Sequence, residues 1–234
     1  MTERRPLVWV CAHLCDERLY APQLAALSPT YDCSVYCFRE HDSLGGMAGE
    51  LLATAPPRFT LIGLSLGGYV ALEVIRRQLD RLERLVMMGT SAVADDEPHR
   101  AGRFADIAKV KAGGIDALVP ELPARWLHPA HATRPDLVEL MGSMARSVRA
   151  EGQYNQQQAM LARPDSHADL RRARIPTLFV VGREDTARPI AEHESMAACI
   201  PGAPLEIIEH CGHLSTIEQP EIVNRLLSDW LGAN

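Results

Sequence analysis

A sharp turn from a strand into a helix is the feature that most constrains how this chain folds. Residues 59–64 form a continuous apolar run, which is typical of a strand buried on both faces. The run leads into Gly-Leu-Ser-Leu-Gly at 63–67, and a helical pattern follows from Tyr69. Small residues two positions before and after Ser65 permit a tight strand-to-helix turn. The segment therefore predicts a serine displayed above the end of a buried strand.

Short apolar runs alternate with helical stretches along the chain, which predicts an α/β fold with a mostly parallel sheet of about six strands and helices on both faces. The predicted strands are Leu7–Ala12, Cys33–Phe38, Phe59–Leu64, Arg84–Met88, Thr177–Val181 and Leu205–Ile208. The predicted helices are Leu19–Leu27, Leu44–Thr54, Leu66–Leu79, Pro189–Cys199 and Glu221–Trp230.

The alternation stops between residues 92 and 174. Helical patterns interrupted by Pro and Gly occupy this stretch, and it contains no convincing strand. We therefore predict one α/β domain built from residues 1–91 and 175–234, with residues 92–174 inserted as a helical subdomain.

Composition and charge narrow the class of partner. Hydrophobic residues make up 47% of the 234 residues, which suits one domain with a full core. The formal net charge is −6 and no dense run of Lys and Arg occurs, so we expect no nucleic-acid partner. The apolar run after the polar N-terminus is too short to span a bilayer, so we expect no membrane partner and a cytoplasmic location.

The six cysteines lack paired Cys-x-x-Cys spacing, and a chain of this length needs no disulfide bonds for stability. We expect reduced, mostly buried thiols and no metal site. These residues are Cys11, Cys15, Cys33, Cys37, Cys199 and Cys211.

A serine hydroxyl becomes a nucleophile when a histidine takes its proton and an acid orients that histidine. On this type of sheet the acid and the histidine follow the serine in that order along the chain. Asp185 follows the predicted strand that ends at Val181, and His213 follows the one that ends at Ile208. The sequence therefore predicts a triad of Ser65, Asp185 and His213 at one edge of the sheet.

Other acids and histidines compete for these roles. Glu184 adjoins Asp185, and Asp95 or Asp96 offers an acid after the fourth predicted strand. His210 is the closest rival of His213, although the preceding Gly212 favours His213 at a tight turn. We expect the other histidines to be surface or cap residues: His13, His41, His99, His128, His131, His167 and His193.

The oxyanion of a tetrahedral intermediate needs two backbone N–H donors. Leu66, directly after the serine, is the first candidate. The loop after the first predicted strand should supply the second donor, from either His13 or Leu14.

Together these residues resemble the α/β-hydrolase superfamily over nearly the whole chain, most closely small esterases and lactonases such as 3-oxoadipate enol-lactonases and the carboxylesterase of biotin synthesis. The most specific likeness is the succession of Ile175–Thr177, Gly182–Asp185, Ile200–Ala203, Gly212–Leu214 and Glu218–Glu221. The resemblance implies a serine esterase or lactonase that forms an acyl-enzyme, with Ser65 as nucleophile, Asp185 as acid and His213 as base. It implies a small-molecule ester or lactone substrate, no cofactor, and a helical cap at residues 92–174, in which Trp126 and residues 154–160 are expected near the pocket.

The sequence departs from the superfamily pattern in two places. Cys11 and Ala12 stand where many members carry His-Gly or Pro-Gly, and the methyl group of Ala12 would shift the loop that holds the second oxyanion donor. The first predicted strand lies close to the start of the sequence, so we expect no antiparallel hairpin before it.

The same triad also serves carbon–carbon bond hydrolysis, thioester hydrolysis and acyl transfer, because one fold hosts many reactions. Haloalkane dehalogenation is disfavoured, since it needs a carboxylate at position 65. A non-catalytic ligand receptor is the alternative from another class of protein.

Overall fold

The computed structural model describes residues 4–233. Six strands form one sheet: β1 (Pro6–Val10), β2 (Asp32–Tyr36), β3 (Phe59–Leu64), β4 (Leu82–Met88), β5 (Thr177–Gly182) and β6 (Leu205–Ile208). Their order across the sheet is β2-β1-β3-β4-β5-β6, and every neighbouring pair is parallel. The predicted α/β class and strand number are confirmed, and the carboxyl ends of all six strands meet at one edge.

The predicted strand and helix bounds agree with the structure to within a few residues. The first strand ends at Val10 instead of Ala12, although the Cys11 N–H still donates to the Tyr36 carbonyl at 2.9 Å. The first helix begins later than predicted, because a 3₁₀ turn at Glu17–Tyr20 precedes it and Pro22 lies in its first turn.

Ten α-helices occur among residues 4–233. They are α1 (Ala21–Leu27), α2 (Leu44–Thr54), α3 (Leu66–Gln78), α4 (Glu97–Gly113), α5 (Leu122–Trp126), α6 (Pro135–Leu161), α7 (His167–Leu170), α8 (Ile190–Ala197), α9 (Ser215–Glu218) and α10 (Pro220–Gly232). Across the described residues, each helix is too short or too polar to cross a membrane.

The sheet has a hydrophobic core on each face. Side chains of each central strand alternate between the two cores, because successive side chains point to opposite faces of a sheet. On β1, Leu7 and Trp9 join the core beneath α1 and α10. Val8 and Val10 join the core beneath α2 and α3. The sheet is therefore buried on both faces, which explains the continuous apolar runs of its strands.

Between β4 and β5 the described chain is helical, with α4 to α7 and short 3₁₀ turns. We call residues 92–174 the helical segment. Its longest helix, α6, is broken at Arg149, where φ is 68° and ψ is 169°. The second half of α6 thereby turns toward the carboxyl edge of the sheet, where Gln156 hydrogen-bonds the Phe38 carbonyl.

Candidate active site

Ser65 stands at the turn between β3 and α3, as predicted. Its φ of 55° and ψ of −112° lie in a region that L-residues rarely adopt, at a cost of order 1–3 kcal/mol. Two hydrogen bonds hold this backbone: its N–H donates to the Met88 carbonyl at 2.9 Å, and its carbonyl accepts from the Thr90 hydroxyl at 2.8 Å. The β4 end therefore fixes the conformation of the serine.

Glycine is required at both flanking positions of the motif. A Cβ at Gly63 would lie 2.4 Å from the backbone of Gly67, and a Cβ at Gly67 would lie 2.1 Å from the Val10 carbonyl oxygen. Neither contact is possible, because both neighbours are backbone. The close approach of α3 to the sheet thus explains the spacing of the motif.

The structure brings Asp185 and His213 together. His213 Nδ1 lies 2.8 Å from Asp185 Oδ2, and both side chains are buried. The other carboxylate oxygen of Asp185 accepts from the N–H groups of Ala187 at 2.9 Å and Arg188 at 2.8 Å. The carboxylate is therefore fixed from both sides, and it can hold the imidazole with Nε2 free to face a reacting group.

The loop that carries His213 is held by the helical segment. The His213 N–H donates to the Trp126 carbonyl at 2.7 Å. Behind it, the buried Glu218 carboxylate accepts from the N–H of Gly212 at 3.0 Å, from the N–H of His128 at 2.7 Å, and from Nδ1 of His131 at 2.9 Å. Glu218 thus joins the histidine loop to the helical segment.

The rival acids contact other groups. Glu184 accepts from the Cys211 N–H at 3.0 Å, and Asp95 binds Arg103 and Arg163 instead of a histidine. Asp96 caps α4 by accepting from the His99 N–H, and the same oxygen contacts Nδ1 of the His99 ring; unlike Asp185 and His213, both of these side chains are exposed. His210 is exposed, in a turn with φ of 55°.

The loop after β1 is fixed by Gln156 of α6. The Gln156 carbonyl oxygen lies 2.8 Å from His13 Nδ1 and accepts from the Leu14 N–H at 3.0 Å. Within the described residues, the backbone N–H groups of His13 and Leu66 have no such acceptor. Of the two predicted loop donors, the Leu14 N–H is therefore already hydrogen-bonded, and the His13 N–H is available to a substrate oxygen.

Two histidines expected at the surface or in the cap are buried. His193 of α8 accepts from the Thr90 N–H at 3.1 Å, and burial lowers its pKa to about 4. Burial, with a contribution from Arg103, lowers the pKa of His13 to about 3. The expectation was wrong for both, because each ring fills space at the carboxyl edge of the sheet and stays neutral.

A cavity of about 370 Å³ opens at Ser65, and its wall includes His213, Tyr69 and Arg188. The helical segment supplies much of the remaining wall: His99, Arg103, Asp106, Arg125, Trp126, Gln157 and Met160. Trp126, Gln157 and Met160 belong to the stretches expected near the pocket. Tyr154 is 48% exposed and Asn155 bonds the Arg39 carbonyl, so these two contribute nothing to the wall.

The sequence patterns assign no individual role to three residues of this region. Gln156 lay inside the stretch expected near the pocket, and Glu218 lay inside the block that resembles the superfamily. No sequence motif points to Arg188, because Asp95 and Tyr69, which it contacts, are distant in sequence.

Three possible metal ligands, His128, Glu184 and His210, lie outside the cavity wall with ligand atoms within 4.8 Å of one another. Nδ1 of His128 accepts from the Ala130 N–H at 3.0 Å. A neutral His128 ring therefore carries its proton on Nε2, the atom that faces Glu184 at 3.9 Å. That tautomer opposes metal binding through Nε2.

The all-parallel sheet, the serine at the turn after β3 and the helices on both faces define an α/β hydrolase. Residues 4–226 match the model of the alpha/beta hydrolase family, and the chain belongs to that family.

Named relatives give the membership more detail. The chain is 30% identical to a putative carbamate hydrolase RutD of Pseudomonas savastanoi pv. phaseolicola, over 93% of this chain and 90% of the relative. It is 27% identical to a pimeloyl-[acyl-carrier protein] methyl ester esterase of Aromatoleum aromaticum, over 80% of this chain and 79% of the relative. The structure superposes on a thermophilic esterase from Thermogutta terrifontis with a TM-score of 0.87 at 27% identity, covering 98% and 90% of the two chains. These relatives support the prediction of an ester-acting hydrolase.

Proposed function

We propose that this chain hydrolyses a small carboxylic ester or lactone through an acyl-enzyme intermediate on Ser65. The observation that carries the proposal is the 2.8 Å hydrogen bond between His213 and Asp185 beside a cavity whose wall includes Ser65. Membership of the hydrolase family and the esterases among the relatives support the same chemistry.

In the first step, Ser65 Oγ attacks the substrate carbonyl carbon while His213 Nε2 accepts the hydroxyl proton. The imidazolium that forms is stabilised by Asp185, whose carboxylate is already oriented by the Ala187 and Arg188 N–H groups. His213 then gives the proton to the leaving oxygen, and the acyl group remains on Ser65.

Two backbone donors are proposed to hold the oxyanion. Leu66 supplies one, since its N–H lies at the first turn of α3 and has no acceptor among residues 4–233. His13 supplies the other, because the Leu14 N–H is bonded to Gln156. The α3 N-terminus adds a favourable potential for negative charge.

In the second step, water attacks the acyl carbon while His213 takes a proton from it, and the tetrahedral intermediate collapses to release the acid and restore Ser65. Proton transfers among Ser65, His213 and water complete the cycle, so the scheme requires neither a metal ion nor an organic cofactor.

We propose that the helical segment acts as a cap that selects the substrate, with residues 1–91 and 175–234 as the hydrolase core. Its side chains form much of the wall around Ser65. The Trp126 carbonyl accepts from the His213 N–H and Glu218 accepts from the His128 N–H, and these contacts between the segment and the histidine loop support a cap beside the cavity. The unpaired thiols of the described residues fit the expected cytoplasmic location.

Carbamate hydrolysis is a second candidate, because the relative with 30% identity is named a putative carbamate hydrolase. The same attack by Ser65 on a carbamate ester would expel the alcohol and leave a carbamoyl group on the serine; water would then release a carbamic acid, which loses CO₂ to give the amine. Carbon–carbon hydrolysis, thioester hydrolysis and acyl transfer use the same residues and stay as alternatives.

The test combines covalent labelling with turnover. A fluorophosphonate probe should label the wild type on the peptide that contains Ser65, and the Ser65→Ala variant should resist labelling and lose nearly all hydrolysis of short p-nitrophenyl esters. Ser228→Ala, at an exposed position of α10, is the matched control and should behave as wild type. A panel of methyl esters, lactones, thioesters and carbamates then ranks the substrates by kcat/KM.

If the Ser65→Ala variant is as stable as the wild type and still hydrolyses the esters, the proposed serine mechanism is wrong. An unlabelled wild type that hydrolyses no member of the panel would favour the receptor alternative.

A further inference from the structure

A buried group of arginines lies beside the cavity of Ser65. The guanidinium groups of Arg103, Arg163 and Arg188 surround the carboxylate of Asp95, whose side chain is 1% exposed. Arg163 approaches Asp95 at 2.6 Å and Arg188 at 3.6 Å, while Arg103 forms a shorter ion pair with it. The helical segment and the loop after β5 therefore meet at a cluster of like charges.

The charges within this group do not balance. Besides Asp95, the only carboxylate bound to the group in the described residues is Glu192, which lies 3.5 Å from Arg188. Three guanidinium groups thus face two carboxylates, and one positive charge is left over. An uncompensated charge is costly at a site sheltered from water, so an anion arriving there would be strongly favoured.

Of the two members that line the cavity, Arg103 and Arg188, Arg188 is the one with hydrogen-bonding capacity left. Nε of Arg163 also has no partner among the described residues, but Arg163 lies outside the cavity wall. The Arg103 guanidinium donates to both carboxylate oxygens of Asp95 and to the Gln157 side-chain oxygen, the last at 3.1 Å. The Arg188 side chain is 7% exposed, yet its nearest acceptors are 3.5 and 3.6 Å away, at the limit of a hydrogen bond. Arg188 also lines the cavity with Ser65.

The position of Arg188 is fixed. Its backbone N–H donates to Asp185 at 2.8 Å, and its guanidinium carbon lies 5.7 Å from the centre of the Tyr69 ring. Tyr69 also stacks with Arg163 at 4.2 Å. A planar guanidinium held in this way offers two parallel N–H donors, the geometry that suits a carboxylate.

We propose that Arg188 binds an anionic group of the substrate, and that the natural substrate is therefore an ester or lactone that also carries a carboxylate. This inference rests on the proposed function and adds the charge of the substrate to it. The carboxylate neutralises the surplus charge of the arginine group and orients the ester carbonyl toward Ser65.

The experiment compares pairs of substrates that differ in charge but match in length. Monomethyl esters of succinate, glutarate and adipate are paired with methyl esters of unbranched fatty acids of the same carbon number, and kcat/KM is measured for each. The wild type should prefer the anionic member of at least one pair by about tenfold or more, as for a charge-assisted hydrogen bond. Added NaCl should reduce that preference, because salt screens the attraction.

Variants assign the preference to Arg188. Arg188→Met should lower the anionic-to-neutral ratio of kcat/KM by about tenfold or more, and Arg188→Lys should recover part of it, since the charge remains but the planar fork is lost. Arg225→Met removes the same charge from an exposed position of α10 and should leave the ratio as in wild type. Thermal unfolding of each variant checks that it is folded.

The possible failures are distinguishable. If the wild type hydrolyses neither member of any pair and resists the fluorophosphonate probe, the proposed function fails. If kcat/KM of the wild type is the same for the neutral and the anionic member of every pair, the binding of an anion by Arg188 is overturned. The same holds if Arg188→Met and Arg225→Met give the same anionic-to-neutral ratio. If a variant unfolds, the anionic-to-neutral ratio of the wild type and its dependence on NaCl still test the proposal.

Discussion

His213 and Asp185 are linked by a hydrogen bond of 2.8 Å between Nδ1 and Oδ2, and the second oxygen of Asp185 is held by two backbone N–H groups. A carboxylate fixed in this way leaves His213 one orientation of its ring. The pair therefore determines which nitrogen of His213 is available to the proposed nucleophile Ser65, and its loss should affect the chemistry more than the fold.

Asp185→Asn should lower kcat by at least about a hundredfold, because the amide can present a donor to Nδ1 and favour the wrong tautomer of His213. The shape is kept, so thermal stability should change little. Glu184→Gln is the matched control at the neighbouring acid, which bonds the Cys211 N–H instead, and should keep most of the activity. Steady-state kinetics with a p-nitrophenyl ester make the comparison. A larger loss in Glu184→Gln than in Asp185→Asn would reverse the two assignments.

Gln156→Ala should lower kcat/KM by about tenfold or more, because Gln156 fixes the loop that supplies the proposed His13 donor. The Leu14 N–H would lose its acceptor, and the loop would sample other positions. Asn155→Ala removes a neighbouring amide that bonds the Arg39 carbonyl, away from this loop, and should have a smaller effect. Equal losses in the two variants would show that Gln156 has no special role in positioning the donor.

The sequence predicted the parts of the fold that local patterns encode. Strands β3 and β6 and helix α2 begin and end where predicted. For β3 the reason is local: a buried apolar run ends at the glycine-flanked serine, so composition and turn geometry agree. The placement of Asp185 and His213 after neighbouring strands followed from the same logic, since parallel strands deliver their carboxyl ends to one edge.

What the sequence could not predict depends on contacts between remote segments. Asp95, Arg103, Arg163 and Arg188 form one buried group, yet they come from the loop after β4, from α4, from beyond α6 and from the loop after β5. His193 belongs to the histidines expected to be surface or cap residues, and only the packing of α8 shows that its ring is buried. Tertiary context decided both cases.

His193 should make stability depend on pH. Its pKa is lowered to about 4 in the folded protein, first by burial, so the unfolded chain binds more protons between about pH 6.5 and 4. Its contribution is therefore fully present above about pH 6.5 and is lost as the pH falls toward 4, by about 2 kcal/mol at pH 5. Urea denaturation of the wild type and His193→Gln at pH 7.5 and 5.0 measures this. The wild type should lose more stability than the variant, and equal losses would contradict a neutral, buried His193.

Glu218→Ala should reduce both stability and activity, because Glu218 is the shared acceptor for the N–H groups of Gly212 and His128 and for the His131 ring. Removing the carboxylate leaves two backbone donors without a partner, at a cost of about 2 kcal/mol or more in the free energy of unfolding. Gly212 directly precedes His213, so a loosened loop should also lower kcat while KM changes less. Glu221→Ala, at an exposed position in the first turn of α10, controls for the loss of one negative charge. Urea denaturation and steady-state kinetics of both variants separate the effects: a variant that loses stability but keeps the wild-type kcat would show that Glu218 supports the fold without positioning His213.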